Sequence, residues 1–259
     1  MGKIVIRINR IMDILKARGY VPVSEMAQLL GVSEMTIRRD AKILEENHFA
    51  GNINGVLVYN AKGSTGVPEK EYDLSSEMQV KNEAKTAIGR FAASLIAEND
   101  IVIIDTGSTT EQIVPNISPS LHLSVLCYNV NILQQVLQNP NIEIAFSGGH
   151  YHTNTQMFES AEGINFIRSV RAHKVFVSAA GIHDQLGVTC INNYEVPTKR
   201  AVLLSAAEHI LVADSSKFGT VHAAYFCDLS DIDTIVTDSG LDPEIADNIE
   251  KSGIRLYRV

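Results

Sequence analysis

The sequence of 259 residues contains no tryptophan and only three cysteines, Cys127, Cys190 and Cys227, odd in number and far apart. Such spacing excludes a disulfide framework and a paired-cysteine zinc site. No apolar run approaches the roughly 20 residues needed to cross a bilayer. The first residues, with Lys3 and Arg7 among apolar neighbours, lack the apolar stretch and cleavage site of a secretory signal. The chain therefore reads as cytoplasmic, with no membrane partner. Neither a Gly-x-Gly-x-x-Gly fingerprint nor a Walker-type loop is present, and no cofactor is implied. Basic residues are also scarce, 22 Lys/Arg against 30 Asp/Glu for a net charge of −8. That balance argues against a nucleic-acid binder until it is divided. Residues 1–60 hold eight Lys/Arg and six Asp/Glu, net +2, which leaves net −10 for the rest. A small basic head on an acidic body is compatible with DNA, because phosphate attraction acts locally at physiological ionic strength.

What is present begins with helical periodicity. Ile8, Ile11, Met12 and Leu15 follow an i, i+3, i+4, i+7 stripe that Gly19 ends. Val21-Pro22-Val23 reads as a short extended link, and Ser24 as the N-cap of a helix over 25–30 packed through Met26, Ala27, Leu29 and Leu30. Gly31-Val32-Ser33 supplies a turn and a second N-cap, and the spacing predicts a third helix over 34–47. Ala27, Gly31 and Ile37 stand where a helix-turn-helix needs a small residue, a turn glycine and a branched apolar lock. On the third helix Ile37, Ala41 and Leu44 share a narrow arc, with Met35, Arg38, Arg39 and Lys42 opposite. One core face and one cationic face is the pattern of a helix that reads a major groove. An Asn-Gly pair, Asn54-Gly55, between apolar residues then predicts a β-hairpin wing.

Val32-Ser33 and Thr36-Ile37-Arg38-Arg39-Asp40, followed by Leu44-Glu45, resemble the DNA-binding domain of the DeoR family of bacterial regulators. The resemblance implies that Ser33, Met35, Thr36, Arg38, Arg39 and Lys42 face a double-stranded DNA operator. Two departures stand out. The family's wing usually carries an Arg and a His-Gly-Gly segment, where this sequence has Gly51, Ile53, Asn54 and Gly55, and Ala41 replaces a usual leucine. Loss of the wing's basic residue implies a weaker backbone contact.

Residues 61–78, rich in Gly, Ser, Lys and Glu, read as a linker. Beyond them helical and apolar segments alternate: a helix over 85–97 and buried strands over 101–104, 124–128, 142–146, 175–177, 210–213, 234–237 and 255–259. Such alternation indicates an α/β domain over 79–259 with a mostly parallel sheet. In these sheets ligands bind beyond the carboxyl ends of the strands, where this sequence places its small and polar clusters. They are Asp105 with Gly107, Ser108, Thr109 and Thr110, then Asn129, then Gly148 and Gly149, Gly181, and Asp214 with Lys217. The 107–110 stretch follows a strand and is expected to open a helix whose N–H groups and hydroxyls surround a phosphate. Glu195 and Lys199, four apart on one helix, address ligand hydroxyls and phosphate or form a surface ion pair.

The Asp-x-Gly-Ser-Thr-Thr, Ser-Gly-Gly, Glu-x-x-x-Lys and Asp-Ser-Ser-Lys-Phe-Gly runs are similar, in order, to the DeoR-family sensor domain. This resemblance implies a fold related to sugar-phosphate isomerases and a phosphorylated sugar or sugar alcohol as effector. It also implies homo-oligomeric repression, with phosphate at Gly107, Ser108 and Thr109 and the sugar beside Asp105, Glu195, Asp214 and Lys217. Two catalytic readings compete. Carboxylates near one pocket suit an isomerase-like base, but a DNA-binding head has little use on a metabolic enzyme, so no catalysis is expected. Ile103-Ile104-Asp105-Thr106-Gly107-Ser108 also fits an aspartic-protease pattern, with Asp238-Ser239-Gly240 as partner; the helical pattern around both motifs opposes it. His150-x-His152 lacks a third ligand at useful spacing, so no metal is expected.

Overall fold

The structure, a computed structural model, describes residues 3–47, 49–53, 55–59, 73–78 and 80–259. The predicted linker lies outside the described residues up to position 72, as does Asn54 of the predicted turn. Two compact units divide the chain, the first holding the described residues up to Tyr59 and the second nearly all of those from Asp73 onward.

The first unit runs α1 (Lys3–Arg18), β1 (Tyr20–Pro22), α2 (Val23–Leu30), α3 (Glu34–Glu46), β2 (Ala50–Ile53) and β3 (Val56–Tyr59). Ile8, Ile11 and Leu15 of α1 are buried with Met26, Ala27, Ile37, Ala41, Leu44 and Leu57, the core that the periodicity predicts. Gly31 closes α2 in the left-handed conformation, φ 66°, which a glycine adopts without a Cβ clash. Ser33 caps α3 by accepting the Thr36 N–H. Three expectations change. The predicted link is a strand, since β1 pairs with β3 and makes the hairpin a three-stranded sheet. Helix α2 begins at Val23 rather than after Ser24. Val23 is buried, and its N–H is satisfied by the carbonyl of Gly55, so Ser24 is not needed as a cap. Leu29, expected in the core, is exposed.

Asp40 of α3 is fully buried and paired with Arg7 of α1 through two guanidinium nitrogens, Nε and Nη2, the Nη2–Oδ1 bond at 3.0 Å. Apolar spacing gave no warning of this pair, which fixes α1 against α3.

In the second unit α4 (Leu74–Glu77) and α5 (Asn82–Ser94) precede β4 (Ile101–Ile104), β5 (Leu123–Cys127), α6 (Val130–Val136) and β6 (Ile142–Phe146). A hairpin of β7 (His150–His152) and β8 (Met157–Glu159) leads to α7 (Ala161–Ser169) and β9 (Ala172–Val177). Then come β10 (Gly181–His183), β11 (Gly187–Cys190), α8 (Val196–Ser205), β12 (Ala206–Val212) and β13 (Ala224–Cys227). The chain closes with β14 (Thr234–Thr237), α9 (Pro243–Lys251) and β15 (Arg255–Arg258). Seven strands form one sheet in the order β15-β14-β12-β9-β4-β5-β6, every pairing parallel. Both faces are buried, and alternate residues feed separate cores. Ile103, Leu126, Val175 and Leu211 pack with α7, α8, α9 and the small β10-β11-β13 sheet. Val102, Val125, Phe176 and Ile210 pack with α5 and α6. That double burial is why the strands read as continuous apolar runs. Because all seven run the same way, their carboxyl ends share one edge. Helix α4 falls inside the stretch read as linker: Asp73 caps it, and Leu74 is buried.

Removing the Arg7 side chain leaves the Asp40 carboxylate buried and unpaired. Arg7→Ala is expected to destabilise the first unit by about 3–5 kcal/mol, read as a lowered urea midpoint for its unfolding transition.

Candidate functional site

In the first unit α3 has an exposed, mainly cationic side. Met35, Arg38, Arg39 and Lys42 are exposed on the side away from Ile37, Asp40, Ala41 and Leu44, as the helical wheel predicts. Arg38 and Lys42 lie 3.5 and 3.7 Å from Glu34 and Glu46, one turn away on the same helix, and Arg39 has no ion-pair partner among the described residues. Ser33 and Thr36 are engaged with each other, hydroxyl to hydroxyl at 2.9 Å, as part of the cap.

In the second unit the strand ends converge on Asp105, the residue after β4. Its side chain is fully buried. One oxygen accepts from the Tyr128 hydroxyl; the other accepts from the Lys199 ammonium, the Ser178 N–H at 2.9 Å and the Ser178 hydroxyl at 3.1 Å. Lys199 also donates to the Ser178 carbonyl at 3.1 Å and lies 5.1 Å from the Phe226 ring centre. Burial pushes the Lys199 ammonium down, yet Asp105 and Glu195 more than offset it, and the group stays charged with a raised pKa. Burial, reinforced by Asp105, holds the Tyr128 phenol well above its ordinary range, so it serves as a donor. Glu195 is buried rather than on the surface. It accepts from the N–H and side-chain amide of Asn192, while burial raises its pKa against the pull of Lys199. The spacing of Glu195 and Lys199 therefore marks a buried site, but the direct partner of Lys199 is Asp105.

The 107–110 loop leaves Asp105 under a tight restraint. A Cβ at Gly107 would stand 2.6 Å from the Ser178 Cβ, so the close passage past β9 requires glycine. The expected helix is absent: two short 3-10 turns follow, Thr110–Gln112 and Val114–Asn116, the second containing Pro115. No helix dipole of useful length is aimed at the loop. What it offers instead is the pair of hydroxyls on Ser108 and Thr109, two largely buried residues whose side-chain oxygens keep some access to solvent and have no hydrogen-bond partner among the described residues. Thr110, by contrast, spends its hydroxyl on the Gly107 carbonyl at 2.9 Å. Asn129 donates to the Asp105 carbonyl at 3.4 Å, and its buried side-chain oxygen has no partner among the described residues.

The other predicted residues separate. Gly149 and Gly181 are accounted for by packing, since a Cβ would meet the Glu159 carbonyl at 2.5 Å and the Thr220 carbonyl at 2.6 Å; Gly148 sits at the exit of β6. Asp214 and Lys217, beyond β12, belong to a second cluster with Lys81, Lys85 and Glu77. Lys81 Nζ lies 3.4 Å from Asp214, Lys217 Nζ lies 3.3 Å from Glu77 Oε2, and the buried Lys85 donates to the Glu77 carbonyl at 2.6 Å. Burial resists the Asp214 charge, but Ser216 and the two lysines prevail and lower its pKa. The sequence reading missed Tyr128, Ser178, Lys81, Lys85 and Glu77. Ser178 alone carried a signal, a hydroxyl directly after a strand. The histidines of the 150–152 motif lie on β7, with His152 stacked on Tyr194 at 3.7 Å. Among the described residues no group of three or more His, Cys, Asp or Glu could hold a metal. Nor is any described helix long and apolar enough to cross a membrane.

Two substitutions test this electrostatic arrangement. Lys199→Met leaves Asp105 without its cation and is expected to cost about 3–5 kcal/mol in chemical denaturation. Glu111, buried beside the loop, accepts from Asn131 at 2.9 Å and Gln135 at 3.2 Å, yet burial outweighs these bonds and raises its pKa. A carboxyl raised in the folded state contributes most below its unfolded pKa, and that contribution is lost as pH rises through the folded value. Glu111→Gln is therefore expected to gain stability relative to the parent as pH rises above the ordinary carboxylate range, about 4.3, measured as thermal midpoints across a pH series.

Two sequence profiles match this chain: the DeoR-like helix-turn-helix domain over residues 7–62 and the DeoR C terminal sensor domain over residues 80–239. The deoxyribose operon repressor of Escherichia coli K12 is 30% identical over 252 residues, 96% of each chain. The transcriptional repressor GlcR of Bacillus subtilis is 26% identical, over 96% of this chain and 94% of its own. Among solved structures, ribose 5-phosphate isomerase A from Neisseria gonorrhoeae aligns over 55% of this chain and 56% of its own, at 14% identity and a TM-score of 0.40. With both profiles matched in order and a relative covered nearly end to end, the chain belongs to the DeoR family of transcriptional regulators, and it is a regulator rather than an enzyme.

Proposed function

We propose that this protein is a cytoplasmic repressor of carbohydrate-metabolism genes, bound to operator DNA through α3 and released by a phosphorylated sugar or sugar alcohol. Ser33, Met35, Thr36, Arg38, Arg39 and Lys42 form the DNA-facing surface. The effector occupies the carboxyl edge of the parallel sheet, with its phosphate on Gly107, Ser108 and Thr109 and its hydroxyls toward Asp105, Asn129, Glu195 and Lys199. The observation that carries this reading is the pair of partnerless hydroxyls on Ser108 and Thr109 beside a buried ion pair. Hydroxyls that keep access to solvent and have no internal bond are ready to meet a polar ligand, and the buried charges hold the walls in place. Thr110 contributes to the loop's shape rather than to contact, and Gly148, Gly149 and Gly181 act through backbone packing around the site. A single helix-turn-helix makes too small a DNA interface for tight specific binding, so the working form is a homo-oligomer.

Fluorescence anisotropy on the DNA upstream of the protein's own gene tests this, with titration by sugar phosphates and their unphosphorylated counterparts. Specific binding, released only by a phosphorylated compound, is expected. Arg38→Ala should weaken operator binding by about 1–3 kcal/mol with effector affinity unchanged. Ser108→Ala with Thr109→Ala should keep operator binding and lose the response. Release by unphosphorylated sugars alone would overturn the phosphate assignment.

A further inference from the structure

Met35 is 79% exposed, more than any other large apolar side chain among the described residues. Covering such a side chain is favourable, and this one, in the first turn of α3, contributes nothing to the core of its own unit. Its direction is fixed from behind. Ile37, Ala41 and Leu44 hold the inner side of the helix, and the buried Asp40–Arg7 pair on the flank keeps it from rolling about its own axis. At about 100° per residue, Met35, Arg39, Lys42 and Glu46 lie within about 60° of one another, opposite Ile37 and Leu44. Arg38 stands to one side of this stripe.

The cations on this side are not equivalent. Arg38 lies 3.5 Å from Glu34 and Lys42 lies 3.7 Å from Glu46, each pair one turn apart and in solvent. Arg39 is exposed and has no ion-pair partner among the described residues, so no acid occupies its planar fork of donors. Glu46 decides which end of the stripe enters a groove. The stretch from Met35 to Glu46 spans about 16 Å along the axis, and the major groove is about 8.5 Å deep. An acid between two phosphate chains is repelled, so α3 enters by its N-terminal half, with Met35 and Arg39 toward the base edges. Glu34, the acid at that end, lies off the stripe beside Arg38.

We infer that Met35 and Arg39 are the residues of α3 that read operator sequence: Met35 packs on the methyl group of a thymine, and Arg39 donates to the O6 and N7 of a guanine. The thymine methyl is the apolar group that the major groove displays, and the guanine edge offers the two acceptors that a guanidinium fork matches. One helical turn separates the two residues by about 6 Å, and bases along a strand are about 3.4 Å apart, which places the thymine and the guanine about two base pairs from each other. Arg38, on the flank, and Lys42, farther along the axis, exchange Glu34 and Glu46 for backbone phosphates. Those contacts position the helix and carry no sequence information. This rests on the reading that α3 enters the operator, and adds which side chains choose the sequence and which bases they choose.

The test uses the full-length protein and a library of duplexes randomised in sequence. The parent is expected to select a motif with a thymine and a guanine about two base pairs apart. In the selected duplex, uracil in place of that thymine removes only the methyl group, and 7-deazaguanine in place of that guanine removes only the N7 acceptor. The guanine replacement should weaken the parent roughly tenfold, and the thymine replacement by a smaller factor. Arg39→Ala should bind the guanine and 7-deazaguanine duplexes equally, and Met35→Ala the thymine and uracil duplexes equally. Arg38→Ala and Lys42→Ala should keep both discriminations, weaken binding to all duplexes alike, and lower the slope of log affinity against log salt by about one. A parent that selects a motif yet is indifferent to both replacements would overturn the assignment with the operator reading intact. So would discrimination that Arg39→Ala and Met35→Ala retain. A parent that selects no motif at all would overturn the operator reading itself. The analogue measurement on the parent protein needs no variant to fold.

Discussion

Two charges removed from water, Lys199 and Asp105, determine how the strand ends of the second unit must be arranged. Taking a carboxylate and an ammonium into the interior costs several kcal/mol each, and their attraction offsets this only when the remaining lone pairs and protons are also satisfied. Asp105 meets that demand by accepting from Tyr128 after β5, from Ser178 after β9 and from Lys199 on α8. The partners come from three separate stretches of chain, so saturating one carboxylate fixes the relative positions of three neighbouring strand ends and a helix. The tight passage at Gly107 follows, because the loop leaving Asp105 has to run directly against Ser178. An apolar replacement of similar volume would hold the fold as well or better. The buried pair is therefore better understood as placing the 107–110 loop than as adding stability.

The same physics acts in the first unit with a different consequence. Asp40 lies on the core side of α3 and is neutralised by Arg7, so its charge does not oppose the outward arginines. The acids that do share the exposed face, Glu34 and Glu46, pair with Arg38 and Lys42 at long distances in solvent. Exposed pairs of this kind contribute about 0–1 kcal/mol and give way readily to a phosphate. Buried charge is locked and exposed charge is labile, so α3 keeps its core side fixed and its outer cations free to change partners.

These distinctions explain which parts were legible in the sequence. The helix-turn-helix was, because Ala27, Gly31, Ser33 and Ile37 each do a local job that fixes residue type and spacing. The main sheet was too, since strands buried on both faces leave runs such as Ile101–Ile104. What stayed hidden depends on partners distant in sequence. Tyr128 ends an apolar run and looks like one more strand residue until its hydroxyl meets Asp105. Glu195 and Lys199 have the spacing of a surface pair, but α8 is covered, and the lysine turns to a residue 94 positions away. Lys85 sits on an amphipathic helix and gives no sign of being buried. The 3-10 turns after Thr109 replace a helix because Pro115 follows before three turns can form. Helix α4 is a single turn in polar sequence, too short to leave a periodicity.

That shortness bears on how firmly α4 is held. A ligand shifts an equilibrium only by the difference between its affinities for the two states, and coupling between sites is typically about 1–3 kcal/mol. An element held by a long helix or a wide apolar face would need more than that to leave its place. Helix α4 is held by one buried leucine, worth about 1.5–3 kcal/mol, and by a few hydrogen bonds and partly exposed lysine contacts. The charged contacts are weak enough for an oxyanion to contest, and the leucine alone is a marginal anchor for a single helical turn. Helix α4 is therefore a weakly held element of the second unit.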